Sequence, residues 1–323
     1  MRGIVSTLIT AFSIMLGGIA IMMISLSLLG ASLESLTQKE VGELKTDTVA
    51  EGVTSLAVDV WDVTVEILPS EDGKITVSRN ETEKVFYSVS VESGTLTVRR
   101  IDHRKWYERL GFFHFQAPTL TVRLPKGRYE TLNAKVRSFD LFVAEGIVFD
   151  RATVTASSGS VRYFADVKET LTLTVTSGSL SVKNVSAEEI TGAVTSGRME
   201  WEEISCKRLT LSGTSGTTKL NNVAAADVVS LELTSGSVTL TDVVCDGDFS
   251  VKTTSGSLRL NRCDGGEITL QTTSGSVKGT LRSPKVFNVK VSNGSVNVPD
   301  SVQNAGLCEI KTTGGSVKIS IEE

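Results

Sequence analysis

Histidine is nearly missing from this chain: two occur in 323 residues, beside five prolines and four cysteines. Neither His103 nor His114 stands near a cysteine, and no two of Cys206, Cys245, Cys263 and Cys308 form a CxxC pair. The ligand spacing of a zinc site is therefore missing. P-loop, HExxH and GxSxG patterns are absent, as is the GGxGxD repeat of calcium-binding coils. Acidic residues such as Glu188, Glu189, Glu202, Glu203, Asp227 and Asp246 fall at turns instead of forming one carboxylate column. No catalytic residue, metal ligand or cofactor is assigned on these grounds. A formal charge of −4 with a pI near 5.5 gives no reason to expect nucleic-acid binding. Aromatics are only 6% of the chain, whereas Gly, Ser, Thr and Val recur throughout, a mixture that suits many short strands and tight turns.

Charge is missing altogether from residues 4–33, a stretch rich in Ile, Leu, Met, Ala and Gly. As a helix it would reach about 45 Å, against roughly 30 Å of hydrocarbon to cross. Arg2 precedes it, and Glu34, Lys39, Glu40 and Glu43 follow. The positive-inside tendency predicts a single-pass anchor in the cell membrane, with a cytoplasmic N-terminus and the remainder extracytoplasmic. The lipid bilayer is thus the partner expected for residues 4–33. A cleaved signal peptide ending near Gly30-Ala31-Ser32 is the competing reading, but the run exceeds the usual ~7–15-residue apolar region. The polar residues 34–50 read as a juxtamembrane stalk.

The dominant pattern is a repeat. The motif T/S-S-G-S followed by alternating apolar residues places glycines at Gly159, Gly178, Gly197, Gly216, Gly236, Gly256, Gly275, Gly294 and Gly315. Spacings of 19–21 residues over eight intervals indicate a solenoid. Apolar residues fall at the second and fourth positions after each glycine, as in Val238 and Leu240 or Val296 and Val298, and again at the seventh, as in Val185, Ile204, Val223 and Val243. Period-two alternation without helical spacing predicts an all-β fold, a parallel β-helix of 19–20-residue coils. Each T-S-G-S is expected to be a corner, because glycine accepts the backbone angles of a sharp bend. With coils ~4.8 Å apart, the nine corners describe a rod of roughly 38 Å. Residues 135–142 read as a degenerate earlier coil with Phe139 in the glycine column, so the solenoid is assigned to residues 129–323. Residues 51–128 alternate without the repeat and are expected to form an irregular β cap. Glu322 and Glu323 would discourage stacking at the far end. Cys206 and Cys245 lie two coils apart, about 9.6 Å, too far for a disulfide, and all four cysteines read as packing thiols.

Residues 67–74 (Ile-Leu-Pro-Ser-Glu-Asp-Gly-Lys), Arg104-Lys105-Trp106-Tyr107, Leu124-Pro125-Lys126-Gly127 and the repeated T-S-G-S/T resemble the "putative-adhesin" family of bacterial envelope β-strand-repeat proteins, a domain of unknown function. The likeness covers residues 52–323. It implies a surface β-solenoid, often with an N-terminal membrane segment, and brings no catalytic residues. The acidic residue frequent after that family's corner glycine is mostly Ser here.

One segment departs from the repeat. Residues 99–118 hold both histidines, five aromatics and the cations Arg99, Arg100, Arg104, Lys105 and Arg109. A connection of this length inside a compact domain is often functional, and Arg with aromatics is an interface composition. Arg104, Lys105, Trp106, Tyr107, Arg109, Phe112 and Phe113 form the candidate partner-binding loop; the alternative is a hydrophobic plug over the solenoid end. Two functions are expected: an adhesion or scaffold module meeting an envelope polymer or surface protein, or an external sensing domain of an envelope-stress system that works through a membrane signalling partner.

Overall fold

The computed structural model describes residues 11–21, 24–25, 42–49, 52–105 and 118–322. Residues 11–21 are helical, with Phe12, Ile14, Leu16 and Ile19 exposed. Among the described residues no helix is long and apolar enough to cross a membrane, and most of residues 4–33 lies outside them.

The rest is β-structure. In chain order the strands are β1 (Glu43–Val49), β2 (Ser55–Val60), β3 (Thr64–Pro69), β4 (Ile75–Glu81), β5 (Val85–Glu92), β6 (Thr95–Asp102), β7 (Thr119–Leu124), β8 (Arg128–Val136), β9 (Leu141–Val143), β10 (Val148–Tyr163), β11 (Asp166–Ser255), β12 (Leu258–Ser274), β13 (Val277–Leu281), β14 (Val286–Asn293), β15 (Val296–Asn297), β16 (Leu307–Gly314) and β17 (Val317–Ile321). All belong to one hydrogen-bonded sheet. From β10 onward the chain winds through parallel coils, and β11 alone runs 90 residues through several of them. The register matches repeat to repeat: Gly159 lies against Gly178, Val161 against Leu180 and Val238 against Leu258. Alternation decides what is inside. Val161, Leu180, Met199, Val238, Leu258 and Val277 form one buried column, and Val185, Ile204, Val223, Val243 and Cys263 another.

Each coil turns at three places. The first is the glycine ladder, where φ runs from 101° at Gly159 to 159° at Gly256. A Cβ on Gly236 would lie 1.8 Å from the carbonyl oxygen of Gly216, so close approach of coils excludes a side chain as firmly as the backbone angle does. Phe139 takes the same column with φ 71°, its carbonyl against Gly159, so residues 135–142 do form an earlier coil. The second corner holds Asn184, Glu203, Asn222, Asp242 and Arg262, all left-handed with φ of 52–55°. This column precedes the seventh-position apolar residue and was not expected from the glycine pattern, because its residues are unlike one another. The third lies near Gly247 and Gly266, whose Cβ positions would meet the Asp227 and Asp246 carbonyls at 2.2 and 2.3 Å. Outside, charges stack alternately from coil to coil: Lys207 on Glu188, Arg208 between Glu189 and Asp227, and Asp242 under both Arg262 and Arg282.

Inside, one exchange of volume stands out. Trp201 is fully buried at a position otherwise filled by Val182, Leu220 or Leu240. Gly192 makes room for it: a Cβ there would lie 2.5 Å from Trp201 Cζ2 and 2.8 Å from Leu211 Cδ2.

Both ends of the stack depart from chain order. At the N-terminal end β2 pairs in parallel with β8 on one side and β6 on the other, while β3 pairs with β9 and β7. The first coil is thus an interior level, and β6 with β7 makes the outermost one. Much of residues 51–128 is therefore solenoid, and the irregular part is a rim of antiparallel strands, with β5 on β6, β4 on β7 and β1 on β4. The expected stalk is corrected at its end: residues 43–49 are strand β1. Its partner strand contributes Arg79, 2% exposed, which bonds Asp47 Oδ2 at 2.7 Å and Glu81 Oε1 at 2.8 Å. A buried guanidinium needs both carboxylates, which welds β1 to the rim.

The C-terminal end repeats the device. β16 pairs with β12 and β14, and β17 with β13 and β15. The last coil in sequence is inserted beneath the one before it, and the glycine ladder runs Gly275, Gly315, Gly294. This corrects the expectation that the chain end closes the rod. Glu322 lies beside Arg262, 3.8 Å away, and the end level is residues 286–297. Val296, expected inside, is 49% exposed because no coil lies beyond it. Lys285 spans the inserted level, its Nζ 2.7 Å from both Asp264 Oδ1 and the Gly265 carbonyl.

Candidate functional site

The non-repetitive chemistry gathers at the N-terminal end of the stack. Strand β6 brings Leu96, Val98 and Arg100 to the inner face by alternation, so an arginine stands where the two levels paired beyond it carry Val60 and Val136. Arg100 is 4% exposed; it donates to the Trp61 carbonyl and stands 3.9 Å from Asp62 Oδ2, while its Nε has no partner. Burial pushes the guanidinium below its ordinary pKa, against the pull of Tyr87 and Asp62. Burial likewise raises the Tyr87 hydroxyl. Trp61 lies between two cations, with the Arg100 and Arg137 guanidinium carbons 5.6 and 5.4 Å from its ring centre. Arg137 also pairs with Asp59 at 3.1 Å. Trp61 and Arg137 carried no mark in the sequence. Arg100 did, as the charged residue that breaks an apolar alternation.

The candidate loop leaves this outermost level. His103 donates its N–H to the Lys84 carbonyl and packs edge-on against Phe86. Arg104 folds back on Asp102, with Nε to Oδ1 at 3.0 Å, Nη2 to Oδ2 at 2.8 Å and the backbone N–H to Oδ1 at 2.9 Å. Such a two-toothed pair neutralises the Arg104 charge locally, so it belongs to the loop's own geometry. Lys105 is exposed. Trp106, Tyr107, Arg109, Phe112, Phe113 and His114 lie outside the described residues. The segment returns at Pro118, whose carbonyl accepts the Thr64 N–H at 2.9 Å.

Elsewhere the surface is repetitive. A groove of about 460 Å³ crosses five coils, walled by Thr195, Thr214, Thr234 and Thr254 on one side and by Ser212, Glu232, Lys252 and Gln271 on the other. Glu232 and Lys252 pair at 3.5 Å, so the groove offers hydroxyl and amide groups without net charge. The four cysteines are buried and free. Burial pushes Cys206 and Cys308 up to about 12 and Cys263 to about 11, which leaves them protonated at neutral pH and unfit as nucleophiles. Among the described residues no three His, Cys, Asp or Glu side chains converge as a metal site would require.

Three solved bacterial structures are similar to this chain. A "putative adhesin" from Bacteroides fragilis is 13% identical, with 86% of this chain and 97% of that one covered and a TM-score of 0.37. A "putative lipid binding protein" from Parabacteroides distasonis is 14% identical, covers 86% and 98%, and has a TM-score of 0.44. A "putative adhesin" from Parabacteroides merdae is 13% identical, covers 86% and 97%, and also scores 0.44. No curated protein matches the chain. The Toastrack DUF4097 family model matches residues 53–241 and 208–323, which together span the solenoid and all of its rim but β1. The chain belongs to the Toastrack DUF4097 family, a domain family of unknown function.

Proposed function

We propose that this chain is a non-catalytic, membrane-anchored extracytoplasmic solenoid that acts as an adhesion or scaffold module. The observation that carries the reading is the helix of residues 11–21, whose Phe12, Ile14, Met15, Leu16 and Ile19 are all about half exposed or more. A helix satisfies its own backbone hydrogen bonds, and such a row of bare apolar side chains is satisfied by lipid. Extended over the uncharged residues 4–33, it is long enough to span. The solenoid would then stand outside the cell membrane. The segment of residues 103–118 leaves the end level after β6, and its composition, with Arg109 and the aromatics Trp106, Tyr107, Phe112 and Phe113, suits an anionic envelope polymer or a surface protein. The polar groove supplies a second, uncharged face for such a polymer.

A second reading, the external sensing domain of an envelope-stress system acting through a membrane partner, draws support from β1. That strand lies ten residues beyond the apolar run and is joined to the rim by Arg79, Asp47 and Glu81, so a force arriving at β1 would be passed to the solenoid. Protease added to intact, wall-stripped cells tests the topology common to both readings. Digestion of residues 42–323 is expected, and protection until lysis would overturn it. Co-purification after crosslinking in those cells separates the readings, with a polymer or surface protein expected for the first and a membrane signalling protein for the second.

A further inference from the structure

We propose that a notch at the second corner of the N-terminal levels binds a neutral sugar residue of an envelope polymer, with the sugar ring stacked on Phe164. The inference deepens the adhesion reading, on which it rests for the source of the sugar.

The notch comes from a break in the second-corner column. That column projects a polar residue six places after the ladder residue, from Asn184 after Gly178 onward to Arg262 after Gly256, and Glu145 stands there after Phe139. On the level between Glu145 and Asn184 the place belongs to Ala165, which is fully buried. Nothing projects there, and a cavity of about 460 Å³ opens beside Phe164, Lys126, Glu145, Asp166 and Asn184. Small-ligand sites run to roughly 300–1,000 Å³. Lys126 reaches the notch from the β7–β8 connection, its Cε 3.7 Å from where a Cβ on Gly146 would stand.

The wall combines an aromatic face with unpartnered polar groups. Phe142 stands in an outward column that carries Ser181, Glu200 and Lys219 in later coils, and Phe164 in one that carries Lys183, Glu202 and Asn221. Two half-exposed rings thus face outward where the repeat is elsewhere polar. Their centres lie 5.5 Å apart with the planes at 82°, and the Arg162 guanidinium carbon is 5.2 Å from the Phe142 ring centre. Phe142 is thereby occupied from within the chain, whereas Phe164 lines the cavity. Among the described residues Lys126, Glu145 and Asn184 form no side-chain hydrogen bond or ion pair. Asp166 is held by one oxygen: Oδ1 accepts the Ser186 N–H at 3.1 Å and the Ser186 hydroxyl at 3.0 Å, and Oδ2 has no such partner.

These groups select the ligand. A flat apolar face beside an ammonium, an amide and two carboxylates matches a ring with an apolar C–H face and a rim of hydroxyls, each able to donate and accept. A phosphate would meet Glu145 and Asp166, and an amine would meet Lys126, so like charges oppose ionic ligands of either sign. The ligand that fits is a hexose or N-acetylhexosamine residue.

The test uses the full chain in a detergent without sugar headgroups. Saturation-transfer NMR is read with glucose, galactose, mannose, N-acetylglucosamine and their short oligomers. At least one should bind, with saturation passing from aromatic protons to the C–H protons of the sugar ring. Phe164→Leu keeps bulk against Phe142 but removes the flat face. Asn184→Gly removes the amide and suits the left-handed backbone, φ 54°. Each should weaken binding by about tenfold or more with an unchanged melting temperature, and Thr241→Ala, away from the notch, should leave it intact. The assay is blind to topology, so its failure and failure of the protease test are separate results. No binding by any sugar of the set, binding unchanged in either notch variant, or displacement of the sugar by inorganic phosphate overturns the proposal.

Discussion

Gly314 and Gly315 are neighbours in one turn, yet replacing each by alanine should give opposite results. Gly315 has φ 144°, and a Cβ there would sit 2.1 Å from the Gly275 carbonyl oxygen, whereas at Gly314 nothing lies nearer than 3.9 Å. A backbone angle in the glycine-only region costs a side chain about 1–3 kcal/mol. Removing the overlap requires the coils to separate by more than an ångström at a corner. Four backbone bonds cross it: Gly275 N–H to Gly314, Gly315 N–H to Asn293, Val277 N–H to Ser316 and Val317 N–H to Ser295. At about 1 kcal/mol each, losing two or three brings the total for Gly315→Ala to roughly 3–6 kcal/mol. Gly314→Ala should lie within ~0.5 kcal/mol of wild type or stabilise by up to about 1 kcal/mol through a less flexible unfolded chain. Urea unfolding followed by circular dichroism, with hydrogen exchange of β16 and β17 to catch local opening, measures both. If Gly315→Ala fell within about 1 kcal/mol of Gly314→Ala, the close-packed ladder would be wrong, and the glycine column would reflect only a preference for a loose turn.

Three further outcomes follow from the same packing. Gly192→Ala should destabilise by about 1–3 kcal/mol through overpacking, and Trp201→Leu in the same chain should recover part of it in thermal melts; equal melting of the single and double variants would refute the exchange. Asp264 is held below its ordinary pKa: burial pushes it up, but hydrogen bonds from Lys285, Ser283 and the Gly265 N–H prevail. Its contribution is then complete above the unfolded carboxylate pKa and lost as pH falls through the lower folded value. The stability gap between wild type and Asp264→Asn, about 1–2 kcal/mol, should be level near neutrality and close on acidification; a gap that widened in acid would reverse the sign. Iodoacetamide at pH 8 should leave Cys206, Cys263 and Cys308 unmodified in the folded chain and label them in urea, with labelling of the native protein as the contrary result.

The repeat itself was legible because its causes are local. A glycine every 19–21 residues, with apolar residues two and four places later, states both the corner and the inward face of each coil, and Val161, Val238 and Leu258 lie where alternation puts them. The degenerate coil at Phe139 and the packing role of the cysteines follow from the same register. The second corner was not legible. Asn184, Glu203, Asn222, Asp242 and Arg262 share a left-handed backbone but no chemistry, because stacked polar partners outside the coil tolerate many side chains where close backbone contact tolerates only glycine. Of the candidate loop only the residues up to Lys105 are described; that Arg104 is spent on Asp102 two residues away, and that Arg100 turns inward beside Trp61, are pairings that composition does not encode.

The order of the coils belongs to tertiary structure alone. A parallel coil offers the same ladder of donors and acceptors on each of its two faces, so its repeat says that it will stack but not on which neighbour. At both ends the terminal coil is placed between two others, β2 and β3 between the levels of β6–β7 and β8–β9, and β16 and β17 between those of β12–β13 and β14–β15. Each insertion pairs the first or last coil in sequence on two faces instead of one and moves a coil adjacent in sequence to the end of the stack. That balance of backbone hydrogen bonds and buried apolar surface is a property of the assembled stack, and no periodicity in the sequence expresses it.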